Sequence, residues 1–235
     1  MMHATLPPRD SRPVETPASP GMRRGRHGLR RALIGAALFG AATGPGSAYT
    51  VNLTPAAPLT VYLQVGVGSF TGDYIYGGQP ENNTTINTVS VSVTSAVLGN
   101  RTPQAMTTNS TAAQSYWDGY TYCSVPGQLY IGGFYRTTGG TTAAAQVTAT
   151  VPAGLTDGSG DTLPFSKIQW TSSGNGDSGA EPFPAGTFVN GGVQTVGSMA
   201  SNTWNESCWT FTYLNNSVPP AGTFTGVVLY TLSAP

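Results

Sequence analysis

The run Leu59–Gly68, LTVYLQVGVG, alternates without a break: Leu59, Val61, Leu63, Val65 and Val67 fall on one face of an extended chain. Period-two alternation is the signature of a strand with one face buried, because successive side chains point to opposite sides. Thr84–Leu98 repeats the pattern through Val89, Val91 and Val93, with Ser and Thr between them. Tyr116–Cys123 and Gln128–Tyr135 are aromatic strand candidates on either side of Pro126-Gly127, and Ala145–Val151, Phe165–Thr171 and Val193–Met199 extend the series. The stretch Cys208–Pro235 adds two runs, Trp209–Leu214 and Thr223–Leu232, around Asn215-Asn216-Ser217, Pro219-Pro220 and Gly222. Aromatic and β-branched runs punctuated by Gly, Pro and Asn read as strand, turn, strand, here a terminal hairpin.

No pattern long enough for a three-turn helix appears, and only 9% of the residues are charged, which leaves few of the long side chains that favour helices. About eight to ten short strands with turn signals between them predict an all-β fold, an immunoglobulin-like or jelly-roll β-sandwich. In the final run Phe224, Val228, Tyr230 and Leu232 share one parity, with Val227 and Leu229 on the other. A strand that is apolar on both faces at the end of a sheet leaves an unpaired edge unless a further strand joins it.

The first residues are not expected to belong to that fold. Arg23, Arg24, Arg26, Arg30 and Arg31 precede the apolar run Ala32–Ala42, and Gly46-Ser47-Ala48 follows. A basic segment, a short apolar core and a small-residue cleavage site make a secretory signal peptide. The apolar run is too short to span a bilayer. Met22 opens a signal of ordinary length, so either Met1 or Met22 serves as the start. Cleavage after Ala48 divides the chain into a removed segment 1–48, a Pro-flanked segment 49–58 and a β domain 59–235, exported and without a transmembrane segment.

Beyond Ala48, Arg101, Arg136 and Lys167 face eight acidic residues, a formal charge of −5 where the whole sequence sums to zero. A mildly acidic, charge-poor surface offers no electrostatic footprint for nucleic acid. Both histidines, His3 and His27, lie before the predicted cut. The exported part therefore lacks the base of a Ser-His-Asp or Cys-His site and the usual zinc ligands. No cofactor motif appears. Asp157 and Asp161, in TDGSGDT, are weak calcium candidates, and a hairpin turn explains the same residues. Asp177 with Glu181 is the carboxylate pair that a glycosidase would need, against the plainer reading of surface acids. Trp117, Tyr120 and Trp204 are the aromatic candidates for stacking on a sugar. Cys123 and Cys208 both lie in the exported part, where an isolated pair is most simply one disulfide; two buried thiols are the alternative.

The segment VPPAGTFTGVVLYTLSAP resembles the closing strand of spore-coat-U-like and archaic chaperone–usher pilins, in which Pro-Ala-Gly-Thr-aromatic-Thr precedes an alternating final strand. Gly222, fourteenth from the end, matches a glycine at that distance in pilin subunits. Ala234 stands where such subunits usually carry an aromatic residue. The resemblance implies an immunoglobulin-like sandwich that lacks one strand. A periplasmic chaperone lends a strand to the gap, and the extension of a like or related subunit replaces it at an outer-membrane usher. On that reading Gly222, Phe224, Val228, Tyr230 and Leu232 form the acceptor edge, and Tyr49, Val51 and Leu53 are donor residues. It implies a non-enzymatic fimbrial subunit that passes through the periplasm to the cell surface. The alternatives are a secreted glycan-binding β-sandwich, and a first strand at 49–53 that pairs within its own domain.

Overall fold

A computed structural model describes residues 51–57, 59–73, 78–81, 83–139, 143–174 and 180–235; the segment 1–48 expected to be a signal peptide, Tyr49, Pro58 and Asp177 lie outside them. Sixteen strands follow one another among the described residues. They begin with β1 (Val51–Asn52), β2 (Thr60–Val65), β3 (Phe70–Thr71), β4 (Gln79–Pro80) and β5 (Val89–Ser90). Next come β6 (Gln104–Ala105), β7 (Thr107–Thr108), β8 (Leu129–Arg136), β9 (Ala145–Val151), β10 (Leu155–Thr156) and β11 (Thr162–Leu163). The last are β12 (Ile168–Ser173), β13 (Gly186–Thr187), β14 (Gly192–Met199), β15 (Thr203–Tyr213) and β16 (Leu229–Ser233). A single 3-10 turn, Phe165–Lys167, leads into β12.

The strands make an all-β sandwich of antiparallel ladders. The larger sheet runs β13-β12-β15-β8-β2, with β1 and β6 added at opposite ends of β15; the smaller runs β14-β9-β16. Short pairs β3-β4, β5-β7 and β10-β11 complete the set. The eleven-residue β15 is central because both its faces are apolar. Trp209, Phe211 and Tyr213 point into the space between the sheets, while Trp204 and Cys208 point to the opposite face. Ala145, Val147, Ala149 and Val151 of β9 point inward and are all buried. These small side chains leave room for the rings of Trp170, Trp209 and Phe211, so that large faces small across the layer.

The larger sheet is covered on its outer face too. Val51, Leu53, Tyr62, Phe134 and Trp204 form one satellite cluster, and Ala112, Cys123, Tyr130 and Cys208 another. The disulfide Cys123–Cys208, with Cα atoms 5.5 Å apart, ties the loop before β8 to the middle of β15.

Three sequence expectations change. The two runs of the terminal stretch do not form a hairpin, since β15 lies in the larger sheet and β16 pairs β9 in the smaller. Asn215 makes the separation: buried, with φ +49°, it donates through Nδ2 to the carbonyls of Val97 and Thr102 and accepts from the Gly99 amide. Tyr116–Cys123 is not a strand despite its alternation. The Gly119 amide donates to the Ser115 carbonyl at 3.0 Å and the Ser115 amide to the Tyr120 carbonyl at 2.8 Å, closing a turn that Gly119 permits with φ +77°. Within Thr84–Leu98 only Val89–Ser90 is a strand, and the Leu98 amide closes a turn on the Thr94 carbonyl.

Candidate strand-accepting edge

On one flank both sheets stop. The larger ends at β2 and the smaller at β16, and no described residue extends either ladder outward. Val61, Leu63 and Val65 of β2 point inward and are only half-buried, as are Tyr230 and Leu232 of β16 and Val228 just before it. Elsewhere inward positions are sealed: Ile131, Val147, Met199 and Trp209 are 0% exposed. Val89, Val91 and Val93 are likewise half-buried against the same core. Neither TVYLQV nor LYTLS contains a charge or a proline, the devices by which edge strands are usually kept from pairing.

The two edges are close but not joined. Cα atoms of β2 and β16 come within 8 Å of each other with no ladder between them. Strands that share a ladder lie about 4.8 Å apart, so one inserted strand needs its neighbours about 9.6 Å apart. A strand entering here must part the edges slightly.

The residues singled out in the sequence fall into separate places. Val228, Tyr230 and Leu232 lie on the uncovered edge. The Tyr230 ring reaches the core, 5.9 Å from the Trp209 ring, and burial pushes its phenol pKa up. Phe224 is half-buried upstream of the strand, where Thr225 pairs with Thr156. Gly222 is exposed in a turn, close to the Asp157 carboxylate. Val51 and Leu53 lie on the other side of the larger sheet. β1 pairs Val51 with Trp204, the Leu53 amide donates to the Asn202 carbonyl at 2.8 Å, and both side chains are buried. Asp157 accepts the amides of Ser159 and Asp161 on one carboxylate oxygen, fastening its own turn. Among the described residues no three His, Cys, Asp or Glu side chains group as a metal site would require. Glu181 accepts from the Ser207 hydroxyl at 3.1 Å; its proposed partner Asp177 is outside the described residues. Trp204 is buried in a satellite cluster, Trp117 is half-buried against it and Tyr120 is 73% exposed.

One polar cluster had no signature in the sequence. On the outer face of β15, Glu206 accepts hydrogen bonds from the Ser115 hydroxyl at 2.9 Å, the Tyr130 hydroxyl at 2.8 Å and the Trp204 indole at 3.0 Å. Gly132 stands opposite Glu206 in the ladder, and a side chain there would collide with the Tyr130 ring that reaches across to the carboxylate. Burial raises the Glu206 pKa, the three donors pull it down, and Asp118 adds to the rise. The Tyr130 phenol is raised well above its ordinary value by burial and by Glu206. No local rule marks Glu206 in advance, because its partners come from β8, from β15 itself and from the loop before β8.

None of the described helical segments is long and apolar enough to cross a membrane. Comparison with protein-family models, with curated proteins and with solved structures finds no match to this chain.

Proposed function

We propose that the chain is an exported, pilin-like structural subunit of a surface fibre, whose sandwich is completed by a strand from another polypeptide. One observation carries the reading: both sheets end on the same flank, in strands that lack charge and proline, with inward Val, Leu and Tyr side chains half-covered. An added strand gains main-chain hydrogen bonds from the free edge of β16 and covers those side chains with alternate residues of its own. The partners on this reading are like or related subunits, delivered by a periplasmic chaperone to an outer-membrane usher. The role is structural, without catalytic turnover.

The donor is the segment Tyr49–Pro58 of a second copy. It has to leave home first, since Val51 and Leu53 are docked against β15 of their own domain. Pro55, exposed, breaks the segment from β2 and lets it move as a unit. Cysteines at Val51→Cys and Leu232→Cys test this. Assembled protein should crosslink between copies into a ladder. Crosslinking of Asn52→Cys only to Thr203→Cys of the same copy, its partner in the ladder, in fibres and monomers alike, defeats the donor assignment.

A secreted glycan-binding module is the second reading. Tyr120, 73% exposed at the tip of the loop that carries Trp117, favours it. Sugar binding lost on Trp117→Ala, with no assembly under any condition, would put it first.

A further inference from the structure

The half-buried Glu206 carboxylate has no role in the strand-accepting edge, and no cationic group among the described residues pairs with it. Arg101 lies at the far loop beside Asn215, Arg136 donates to the Gly78 carbonyl, and Lys167 donates to Asn216. Its three donors are neutral. Two aromatic side chains hydrogen-bond it, Tyr130 and Trp204, and further rings pack against those two. Trp204 donates to it directly, Trp117 lies 6.4 Å from Trp204, and Tyr116 and Tyr122 lie 5.6 and 6.1 Å from Tyr130. The Ser115 hydroxyl holds the arrangement together, donating to Glu206 while accepting the Trp117 amide at 3.1 Å. The disulfide at Cys208, two residues along β15, and the Tyr122 hydroxyl on the Glu206 carbonyl keep the loop in place.

We propose that Glu206, Trp117 and the Ser115–Tyr120 turn form a site for a small organic cation, a protonated alkylamine or a quaternary ammonium group. The argument is electrostatic. Ring faces carry negative charge density and attract cations, and an anion set among rings deepens the same potential. Oε2 receives the Tyr130 and Trp204 donors, whereas Oε1 shares only the Ser115 hydroxyl and keeps an open lone pair. Asp118, exposed on the turn, adds a second negative charge and spends one oxygen on the Tyr120 amide. A neutral sugar would gain stacking and a hydroxyl hydrogen bond to Oε1 but leave the charge uncompensated. A cation gains ring contact and compensates the charge. The site is independent of strand exchange.

Calorimetric titration of the disulfide-intact mature protein tests the proposal, with choline and N-acetyl-lysine methylamide as cationic probes and methyl glucoside as the neutral control. Both cations are expected to bind at millimolar concentrations, and the glucoside is not. Glu206→Gln and Trp117→Ala should each weaken cation binding by about tenfold. Preference for choline assigns the site to quaternary headgroups, and preference for the lysine amide assigns it to a protein side chain. Should Glu206→Gln alter the melting temperature, the exposed Asp118→Asn serves as the charge test, with a smaller loss expected. The proposal is overturned if neither cation binds, if the glucoside binds in preference, or if affinity is unchanged in Trp117→Ala and Asp118→Asn.

Discussion

The two flanks of the sandwich are built from the same kinds of residue and end differently. On the β12–β14 flank the chain between Pro182 and Phe188 crosses from one sheet to the other and seals the gap. The Trp209 indole donates to the Phe183 carbonyl at 3.0 Å and the Trp170 indole to the Pro184 carbonyl at 2.9 Å. Phe183 is 0% exposed, and Phe188 stacks on Phe211 with ring centroids 6.2 Å apart. On the β2–β16 flank no strand joins the two ladders among the described residues, and the same core ends in half-buried Val61, Leu63, Tyr230 and Leu232. The difference is one of cover: apolar contacts stabilise one side fully and the other only in part.

The largest effect belongs to neither flank. The disulfide closes a separation of 85 residues on the shared strand β15, so Cys123→Ser with Cys208→Ser should cost about 4–5 kcal/mol in urea unfolding. It should leave the ranking of the flanks unchanged. Phe183→Ala on the sealed flank should cost about 3–5 kcal/mol, because a fully buried ring leaves a cavity. Leu232→Ala on the open flank should cost only about 1 kcal/mol in the isolated protein. Equal losses for Phe183→Ala and Leu232→Ala would break the comparison.

Much of this contrast is legible in the sequence. The alternation of LTVYLQVGVG identifies β2 and its inward face, and the final run, apolar on both faces, marks a strand without saying which side faces in. The sealing segment is not legible, because Phe183 and Phe188 sit among Pro and Gly with no period to mark them. Aromatic alternation at SYWDGYTYC misleads for the opposite reason: side chains of Ser115 and Asp118 hydrogen-bond the local backbone and make a turn out of a strand-like pattern. Nor can residue order tell that β15 and β16 belong to different sheets. That depends on a buried Asn215, whose partners come from more than 100 residues earlier.

Smaller effects sharpen the picture. Glu206 has a raised pKa in the folded protein, so the native state holds its proton to higher pH than the unfolded chain does. Stability from this group is therefore greatest on the acid side and falls as pH rises from the ordinary carboxylate value through the raised one. Unfolding midpoints taken from about pH 4 to about pH 8 should show that decline in the wild type and a flatter profile in Glu206→Gln. Identical profiles would remove Glu206 as the source. Thr231→Lys, on the exposed face of β16, should change the stability of the isolated domain by less than about 0.5 kcal/mol. The same substitution should prevent fibre assembly, since a lysine on an edge strand blocks pairing. Assembly at the wild-type rate would argue against β16 as the joining edge.

Hydrogen exchange at the amides of β16 tests the central claim most directly. In the isolated mature protein, alternate amides of Leu229–Ser233, those turned away from β9, should exchange rapidly while the amides of β9 stay protected. In assembled material they should become as slow as those of β9. Uniform protection along β16 in the monomer, or no slowing on assembly, would contradict the account.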